Sequence, residues 1–303
     1  MPYRIRPDQP LGEAVRGAAT EQLADAISAL EQQPQGLHEA IHEARKKFKR
    51  VRALYRLVAC DLKEFRTTEN TRLRDVARTL SVVRDATALV ETVAYLQDRA
   101  VNDEERSALA HARDVLAERR DALARAETDL PGKVAAAIAT CHEAIAAIET
   151  ANFPKRPRKT ARLLATGWAK GLARGRAALE DCHHSVHEEV FHELRKASQS
   201  YWMNLSLLRG IWPSAMNAKR AQAKMLVETL GHEHDLALLA GFLDRETGLI
   251  GGGEEFSHLL GAIIREQQEL RRSALALAEH VLGDTPEREG MIIEALWIAA
   301  AAE

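Results

Sequence analysis

The sequence predicts an all-α protein made of two pseudo-symmetric antiparallel helical bundles of the four-helix type. Apolar residues recur at helical spacing along the chain of 303 residues, and we find neither alternating strand patterns nor two-residue hairpin turns. Ala, Leu, Glu and Arg, which favour helices, are abundant, whereas aromatic residues make up only 5% of the chain. A long internal repeat is the third observation, and it predicts that the two bundles arose by duplication.

The repeat relates residues 37–56 (LHEAIHEARKKFKRVRALYR) to residues 187–206 (HEEVFHELRKASQSYWMNLS), which is an offset of 150 positions. The His-x-x-Arg-Lys unit of the first copy falls on the same unit of the second copy without a gap. Downstream, the same offset places Asp85 on Asp235. Repetition of a basic helix at a fixed long period indicates a duplicated helical module that binds an anion.

Residues that break helices divide each half into five predicted helices. The breaks lie at Pro34–Gly36, Thr67–Thr68, Asn102, Pro131–Gly132, Pro154–Pro157, Pro213, Gly251–Gly253 and Pro286. The predicted helices lie near residues 10–32, 36–63, 68–99, 103–127, 132–151, 158–182, 186–210, 216–247, 255–282 and 286–301. The predicted single domain, residues 1–303, therefore consists of a first bundle over residues 1–150 and a second over residues 151–303. Short connections make consecutive helices antiparallel neighbours.

Positive charge is concentrated in two segments, although the net charge of the whole chain is −2. Residues 37–63 carry eight Lys or Arg against three Asp or Glu, and residues 155–176 carry eight Lys or Arg and no acidic residue. Residues 240–303 carry five basic residues against twelve acidic ones. Such sorting predicts a positive region that faces an anionic ligand and an acidic surface elsewhere.

The helix predicted over residues 36–63 carries its positive charge directly beside its apolar face. At about 100° per residue, an apolar stripe from Ile41 to Val58 must face a core. A basic arc lies beside this stripe and continues outward with Lys46. The arc consists of His42, Arg45, Lys49, Arg52 and Arg56. The alternative interpretation is a solvated basic face that binds nothing.

Further basic residues on other helices favour a shared groove. Arg74 and Arg78 are one turn apart on the next predicted helix, and Lys224 stands at the position that matches Arg74. The start of the second half has a broad basic face at helical spacing, formed by Lys155, Lys159, Arg162, Lys170 and Arg174. Convergence of these faces would create one long positive groove.

Histidine clusters offer two weaker candidates for a metal site. His232 and His234 are two positions apart and point in different directions on a helix, so a clamp between them is not expected. Residues 182–187 (CHHSVH) have better spacing, but they lie in a predicted turn without a counterpart in the first half, and metal binding there stays open. Three widely spaced cysteines predict a reducing, cytoplasmic location.

Several motifs resemble those of the conserved histidine α-helical domain (CHAD) family. The similar segments are IHEARKKFKRVRALYRLV, ARTLSVVRDATALV, GWAKGLARGRAAL, FHELRKASQSYWMNLSLL and LGHEHDLALL. The similarity runs from YRIRPDQPL over essentially the whole chain, and HELRK and LGHEHDLALL are its most specific part. The resemblance implies an all-helical protein, built as two related four-helix-type bundles, that binds inorganic polyphosphate through basic residues and histidines.

Carried over to this chain, the resemblance implies that residues of both repeated motifs contact polyphosphate. We add His234 and the basic residues of the other helices named above to the predicted site. The motif residues are His42, Arg45, Lys46, Lys49, Arg52, Arg56, His192, Arg195 and Lys196. The second motif departs from the pattern, because Gln199 and Trp202 stand where the first copy has Lys49 and Arg52. The second motif helix should therefore contribute less to anion binding.

The leading interpretation is a non-catalytic protein that binds inorganic polyphosphate without a cofactor, a metal or a membrane. A nucleic-acid-binding helical protein is disfavoured, because aromatic residues that stack on bases are nearly absent from the basic stripes and the pI is about 6.7. A metal-dependent phosphohydrolase is the other alternative, although no glycine-rich phosphate loop or nucleophile–base pair stands out. Chain-length preference, oligomeric state and association with polyphosphate granules stay open.

Overall fold

The protein is all-helical, and the computed structural model describes residues 3–246, 248–250 and 253–302, with the side chains of residues 82–84 excepted. Within these ranges the chain forms eleven helices and no strand, which confirms the predicted fold class. The helices are α1 (Leu11–Gln32), α2 (Leu37–Val58), α3 (Lys63–Thr79), α4 (Val82–Gln97), α5 (Asp103–Ala126), α6 (Leu130–Glu149), α7 (Pro157–His184), α8 (Glu188–Leu207), α9 (Pro213–Arg245), α10 (Glu254–Val281) and α11 (Pro286–Ala300). None of them is both long and apolar enough to cross a membrane.

The helix predicted over residues 68–99 is divided into α3 and α4, and this part of the prediction is wrong. The chain leaves the helix at Leu80 and Ser81, where Thr79 and the following valines are β-branched residues with reduced helix propensity. The predicted break at Thr67–Thr68 is also wrong, because α3 already begins at Lys63. Exposed threonines cost a helix only tenths of a kcal/mol. The predicted break at Gly251 and Gly252 lies outside the described residues.

Two helix starts of the second half lie at or next to the offset of the sequence repeat. Helix α8 begins one residue after the position that matches the start of α2, and α9 begins at the position that matches the start of α3. The packing partners correspond as well, since α1 packs on α2 and α6 while α7 packs on α8 and α11. Superposition of residues 1–150 on residues 151–303 stays a prediction.

Buried apolar side chains form two cores, and each core draws on both halves of the sequence. The larger core joins α1, α2, α3 and α6 to α7, α8, α11 and the adjoining ends of α9 and α10. The smaller core packs α4 and α5 against the other ends of α9 and α10. The long helices α9 and α10 therefore connect the two cores and fix the position of α8.

Helices α2 and α7 approach each other at Gly167. A Cβ atom at this position would lie 1.9 Å from the backbone carbonyl oxygen of Leu57. Only glycine permits this approach, because a side chain would overlap the backbone of α2. The contact brings the basic faces of α2 and α7 to the same side of the molecule.

A buried ion pair ties α9 to α10 beside α8. Glu233, which is 1% exposed, accepts a hydrogen bond from Nε of Arg271 at 2.8 Å. The guanidinium of Arg271 also lies over the ring of Phe191, 4.6 Å from its centroid. Removing one partner of such a pair would leave an uncompensated buried charge, so this contact holds the three helices in register.

Candidate anion-binding groove

A cavity of about 670 Å³ lies between α2, α3, α7 and α8. Ten basic residues line it, and they come from all four helices. They are Arg45, Lys49, Arg52, Arg56, Arg74, Arg78, Arg174, His192, Arg195 and Lys196. Its acidic lining residues, among those described, are Asp85 and Glu193. Basic residues from these four helices therefore line one cavity.

A second cavity of about 320 Å³ continues the first one along α3 and α7. The two cavities share five lining residues, namely Arg52, Arg56, Arg74, Arg174 and Ser200. The second cavity adds Arg66 and Lys170, and its described lining includes no acidic residue. We call the two connected cavities the central groove.

Few carboxylates neutralise the positive charge of the central groove. Asp75 pairs with Nε of Arg74 at 2.9 Å and lies 3.7 Å from Arg78, and Glu193 pairs with Lys196. Across the described part of the chain, Lys49, Arg52 and Arg56 form no ion pair with a carboxylate. These three cations are consecutive members of the basic arc of α2, so the predicted arc points into the groove.

Without a ligand, the surroundings of the basic groove residues disfavour their protonated forms, and the pKa values of these residues show this. Burial, followed by repulsion from Arg195 and Arg45, lowers the pKa of Lys49 to about 8, while Asp235 opposes the shift. Burial, followed by Arg52 and Arg174, lowers the pKa of Arg56 to about 10. A shift in this direction means that the protonated form has lost solvation and gained like-charged neighbours. A bound anion would offset the repulsion and raise these pKa values.

His192 of α8 lines the groove and faces His234 of α9. Their Nδ1 atoms are 3.3 Å apart and their ring centroids are 4.6 Å apart. Burial, with repulsion from Arg195, His192 and Lys49, lowers the pKa of His234 to about 3. Burial and the neighbouring Lys196 and Arg195 also lower the pKa of His192. Both rings are neutral at pH 7, and one Nδ1–H donates to the other Nδ1.

Helix α8 contributes neutral groups where α2 contributes cations. Arg56 donates a hydrogen bond from Nη1 to Oγ of Ser200 at 3.1 Å, and Gln199 lines the groove nearby. On α2, Arg45 donates from Nη1 to the backbone carbonyl of Ala77, near the C-terminal end of α3. Arg45 therefore has a structural contact in addition to its place in the groove.

The structure brings eleven of the seventeen predicted site residues into the central groove. The eleven are Arg45, Lys49, Arg52, Arg56, Arg74, Arg78, Lys170, Arg174, His192, Arg195 and Lys196. The six that do not line it are His42, Lys46, Lys159, Arg162, Lys224 and His234. Contact of any of the seventeen with polyphosphate stays a prediction.

The residues outside the groove lie in several places. Lys46 is half exposed and pairs with Glu43 at 2.6 Å, while the exposed Lys224 pairs with Glu228 at 3.2 Å. Lys46 faces solvent because helical periodicity carries its position away from the α2–α8 interface, whereas Lys224 is on α9 and does not line the groove. His234 supports His192 from behind, and Lys159 and Arg162 line a separate cavity beside the linker between the two halves.

His42 lies near the beginning of α2 with Glu39 and Glu43. Within the described ranges, these form the group of three or more residues whose metal-ligating atoms all come within 4.8 Å of one another. The cluster at residues 182–187 is not assembled in this way, because His183 lies 3.6 Å from Glu279 and His184 lies 2.9 Å from Glu180. These two histidines interact with separate carboxylates rather than with each other.

Sequence reasoning missed Arg66 and the polar residues beside it. Arg66 and Asn70 line the second cavity from α3. They were missed because the segment around residue 66 was predicted as a loop between two helices. The signal was present, since Arg66, Asn70 and Arg74 recur at i+4 spacing and share one helix face.

Comparison with known proteins gives a family and two similar folds. The sequence profile of the CHAD domain matches residues 17–244, which is more than half of the chain. PptA from Streptomyces chartreusis is similar in structure, with 16% identity and a TM-score of 0.59 over 91% of this chain and 100% of that chain. The crystal structure of the CHAD domain from the plant Ricinus communis has 17% identity and a TM-score of 0.58 over 93% of this chain and 96% of that chain. No curated protein matches the sequence.

Proposed function

This chain belongs to the CHAD domain family, and we propose that it binds inorganic polyphosphate in the central groove without catalysing a reaction on it. The ligand lies between α2, α3, α7 and α8, where Arg and Lys side chains contact its phosphate oxygens. Arginine suits this role, because its planar guanidinium can bridge two phosphate oxygens at once. Affinity comes mainly from these contacts and from the release of counterions.

The observation that carries the proposal is the charge of Lys49, Arg52 and Arg56, which form no ion pair with a carboxylate of the described residues. Burial and repulsion from neighbouring cations lower the pKa values of all three residues. Folding therefore holds together cations that would be more stable apart, and a polyanion supplies the missing negative charge. A solvated basic face would show neither the burial nor the depressed pKa values.

The lining of the groove favours polyphosphate over nucleic acid. Among the described residues of the central groove, the Phe, Tyr or Trp side chain is that of Phe48, and it is 1% exposed. Single-stranded nucleic acids owe roughly 1–3 kcal/mol per base to stacking on aromatic side chains. A groove with many cations and no exposed Phe, Tyr or Trp ring among its described residues favours recognition of phosphate oxygens. Long polyphosphate should therefore displace single-stranded DNA at equal phosphate concentration in a competition assay.

The direct test is titration of the protein with polyphosphate, compared with the variant K49Q/R52Q/R56Q. Charge-assisted contacts to phosphate are worth about 1.5–3 kcal/mol each, so the triple variant should lose affinity by orders of magnitude. The slope of log affinity against log salt concentration should become shallower by about 2 for three lost contacts. The melting temperature should not fall, because the substitutions remove mutually repelling charges.

The matched control is R106Q/R272Q/R288Q, which removes three positive charges from exposed positions on α5, α10 and α11. This control should retain wild-type affinity. R195Q/K196Q should lose less than the triple variant, because Lys196 is already paired with Glu193 and Arg195 lies near Asp235. Unaltered affinity and salt slope in the triple variant would show that the α2 arc does not bind the ligand.

A further inference from the structure

A third cavity, of about 510 Å³, lies where the two halves of the sequence join. The linker residues Asn152 to Pro154 form one wall, and Lys159, Arg162 and Thr166 of α7 form another. The described lining also includes one carboxylate, that of Asp61. We call this cavity the seam cavity. Its two cations were predicted to share the central groove but lie apart from it.

Helix α7 connects the seam cavity to the central groove. Positions 160–169 of α7 are buried against the core, apart from the exposed Arg162 and Thr166 and the half-buried Ala169. Thr166 lines the seam cavity, and Lys170, one turn further along the same exposed ridge, lines the central groove. Side chains four residues apart on a helix are neighbours, with about 5–6 Å between their Cβ atoms. The linings of the two cavities are therefore one helical turn apart on α7, at Thr166 and Lys170.

We propose that the seam cavity is a second anion subsite, which takes the part of a long polyphosphate chain that extends out of the central groove along α7. This proposal rests on the proposed function of the central groove. The distance along α7 from Arg162 to Lys170 is about 12 Å, so only a ligand longer than the groove itself reaches both sites. The second subsite makes affinity depend on chain length.

The seam cavity by itself binds an anion only weakly. This suits a ligand that is already held in the central groove. Nε of Arg162 lies 3.5 Å from Glu294, and the guanidinium is 80% exposed, so a small free anion gains little there. Asp61 also repels anions from one side of the cavity. A chain already held in the central groove, however, presents its next phosphates at high effective concentration, and such linkage raises affinity by roughly 10²–10⁴ without a new strong contact.

The experiment compares tripolyphosphate with a long linear polyphosphate of defined length by isothermal titration calorimetry at physiological ionic strength. Under these conditions charges more than about 8 Å apart are largely screened, so distant substitutions do not act through the field. K159Q/R162Q should weaken binding of the long chain about tenfold or more and leave tripolyphosphate binding unchanged. The salt slope for the long chain should become shallower by roughly 1.4.

A second pair of variants tests the ridge without touching either cavity's cations. Thr166→Glu places a carboxylate between the two sites, whereas Thr166→Gln is the neutral control of similar size. The glutamate should weaken binding of the long chain more than binding of tripolyphosphate, because within the central groove it reaches only Lys170, one turn away. The glutamine should affect neither ligand. Because Thr166 is exposed, both variants should fold.

The outcomes separate this inference from the proposed function. If wild-type protein bound both ligands with equal affinity per molecule, or if K159Q/R162Q weakened both equally, the second subsite would be refuted while binding in the groove stood. If K49Q/R52Q/R56Q bound tripolyphosphate as tightly as the wild type, the proposed function itself would fail. R106Q/R272Q/R288Q should bind both ligands like the wild type. If this variant lost affinity for the long chain, the weaker binding of K159Q/R162Q would be explained by net charge rather than by a second subsite.

Discussion

Lys49 should make polyphosphate binding depend on pH in a range where the internal phosphates of the ligand do not titrate. Its pKa in the free protein is about 8, because burial and the neighbouring Arg195 and Arg45 disfavour its charge. A polyanion in the groove favours the ammonium form and raises this pKa. Well below pH 8 the lysine is protonated before and after binding, so the affinity hardly depends on pH. Above pH 8 binding must be accompanied by uptake of a proton, so the affinity falls as the pH rises.

The magnitude can be worked out from the free pKa. If the lysine stays protonated in the complex, binding takes up about 0.1 proton at pH 7, about 0.5 at pH 8 and about 0.9 at pH 9. Affinity should fall about twofold between pH 7 and pH 8 and about fivefold between pH 8 and pH 9. His234 does not contribute, because its pKa of about 3 keeps it neutral throughout.

Calorimetric titrations in two buffers with different ionisation enthalpies measure this proton uptake. Lys49→Arg keeps the charge but does not titrate in this range, so it should bind tightly without proton uptake. The control is Lys47→Gln, which removes a lysine that pairs with Asp25 at 2.6 Å outside the groove and should retain the wild-type profile. Equal proton uptake by wild type and Lys49→Arg at pH 9 would refute the assignment.

Two further predictions concern the surroundings of the groove. Asp235→Asn removes the carboxylate that favours protonated Lys49. The pH at which binding takes up half a proton should therefore fall in the same calorimetric experiment. An unchanged midpoint would show that Asp235 does not stabilise protonated Lys49. Gly167→Ala forces a Cβ against the carbonyl oxygen of Leu57 and should cost about 1–3 kcal/mol of folding free energy, seen as a lower melting temperature. The control is Gly171→Ala, because the atom nearest to its added Cβ would lie at an ordinary contact distance of 3.7 Å. Equal melting temperatures for the two variants would contradict the close approach of α2 and α7 at Gly167.

The sequence predicted the helical fold because apolar periodicity and strong breakers are local signals. Pro213 and Pro286 stand at the first positions of α9 and α11, where a proline lacks only a donor that the helix does not use. The break after Thr79 was missed because it lacks proline and glycine. The matching position in the second half, Leu230, lies within the continuous helix α9, so the internal repeat did not indicate a break either.

The site was predicted less completely than the fold, because helical spacing shows which residues share a face but not which faces meet. Lys49 and Arg52 were found because they lie beside an apolar stripe that had to be buried. Lys159 and Arg162 belong to the same basic ridge of α7 as Lys170, yet that ridge winds around the helix, and its first turns open into a different cavity. Separating the two sites required the packing of α7 against α2, which no pattern within either helix reveals.

The unequal charge of the two motif helices follows from their contact. Helices α2 and α8 pack against each other along the groove, and α2 already carries cations whose pKa values are depressed by repulsion. Lysines or arginines on α8 at Gln199 and Ser200 would add like charges across a partly buried interface, where electrostatic interactions are less screened than in water. The hydroxyl of Ser200 instead accepts a hydrogen bond from Arg56. The groove thus holds four cations on α2, and α8 faces the last of them with a neutral hydrogen-bond acceptor.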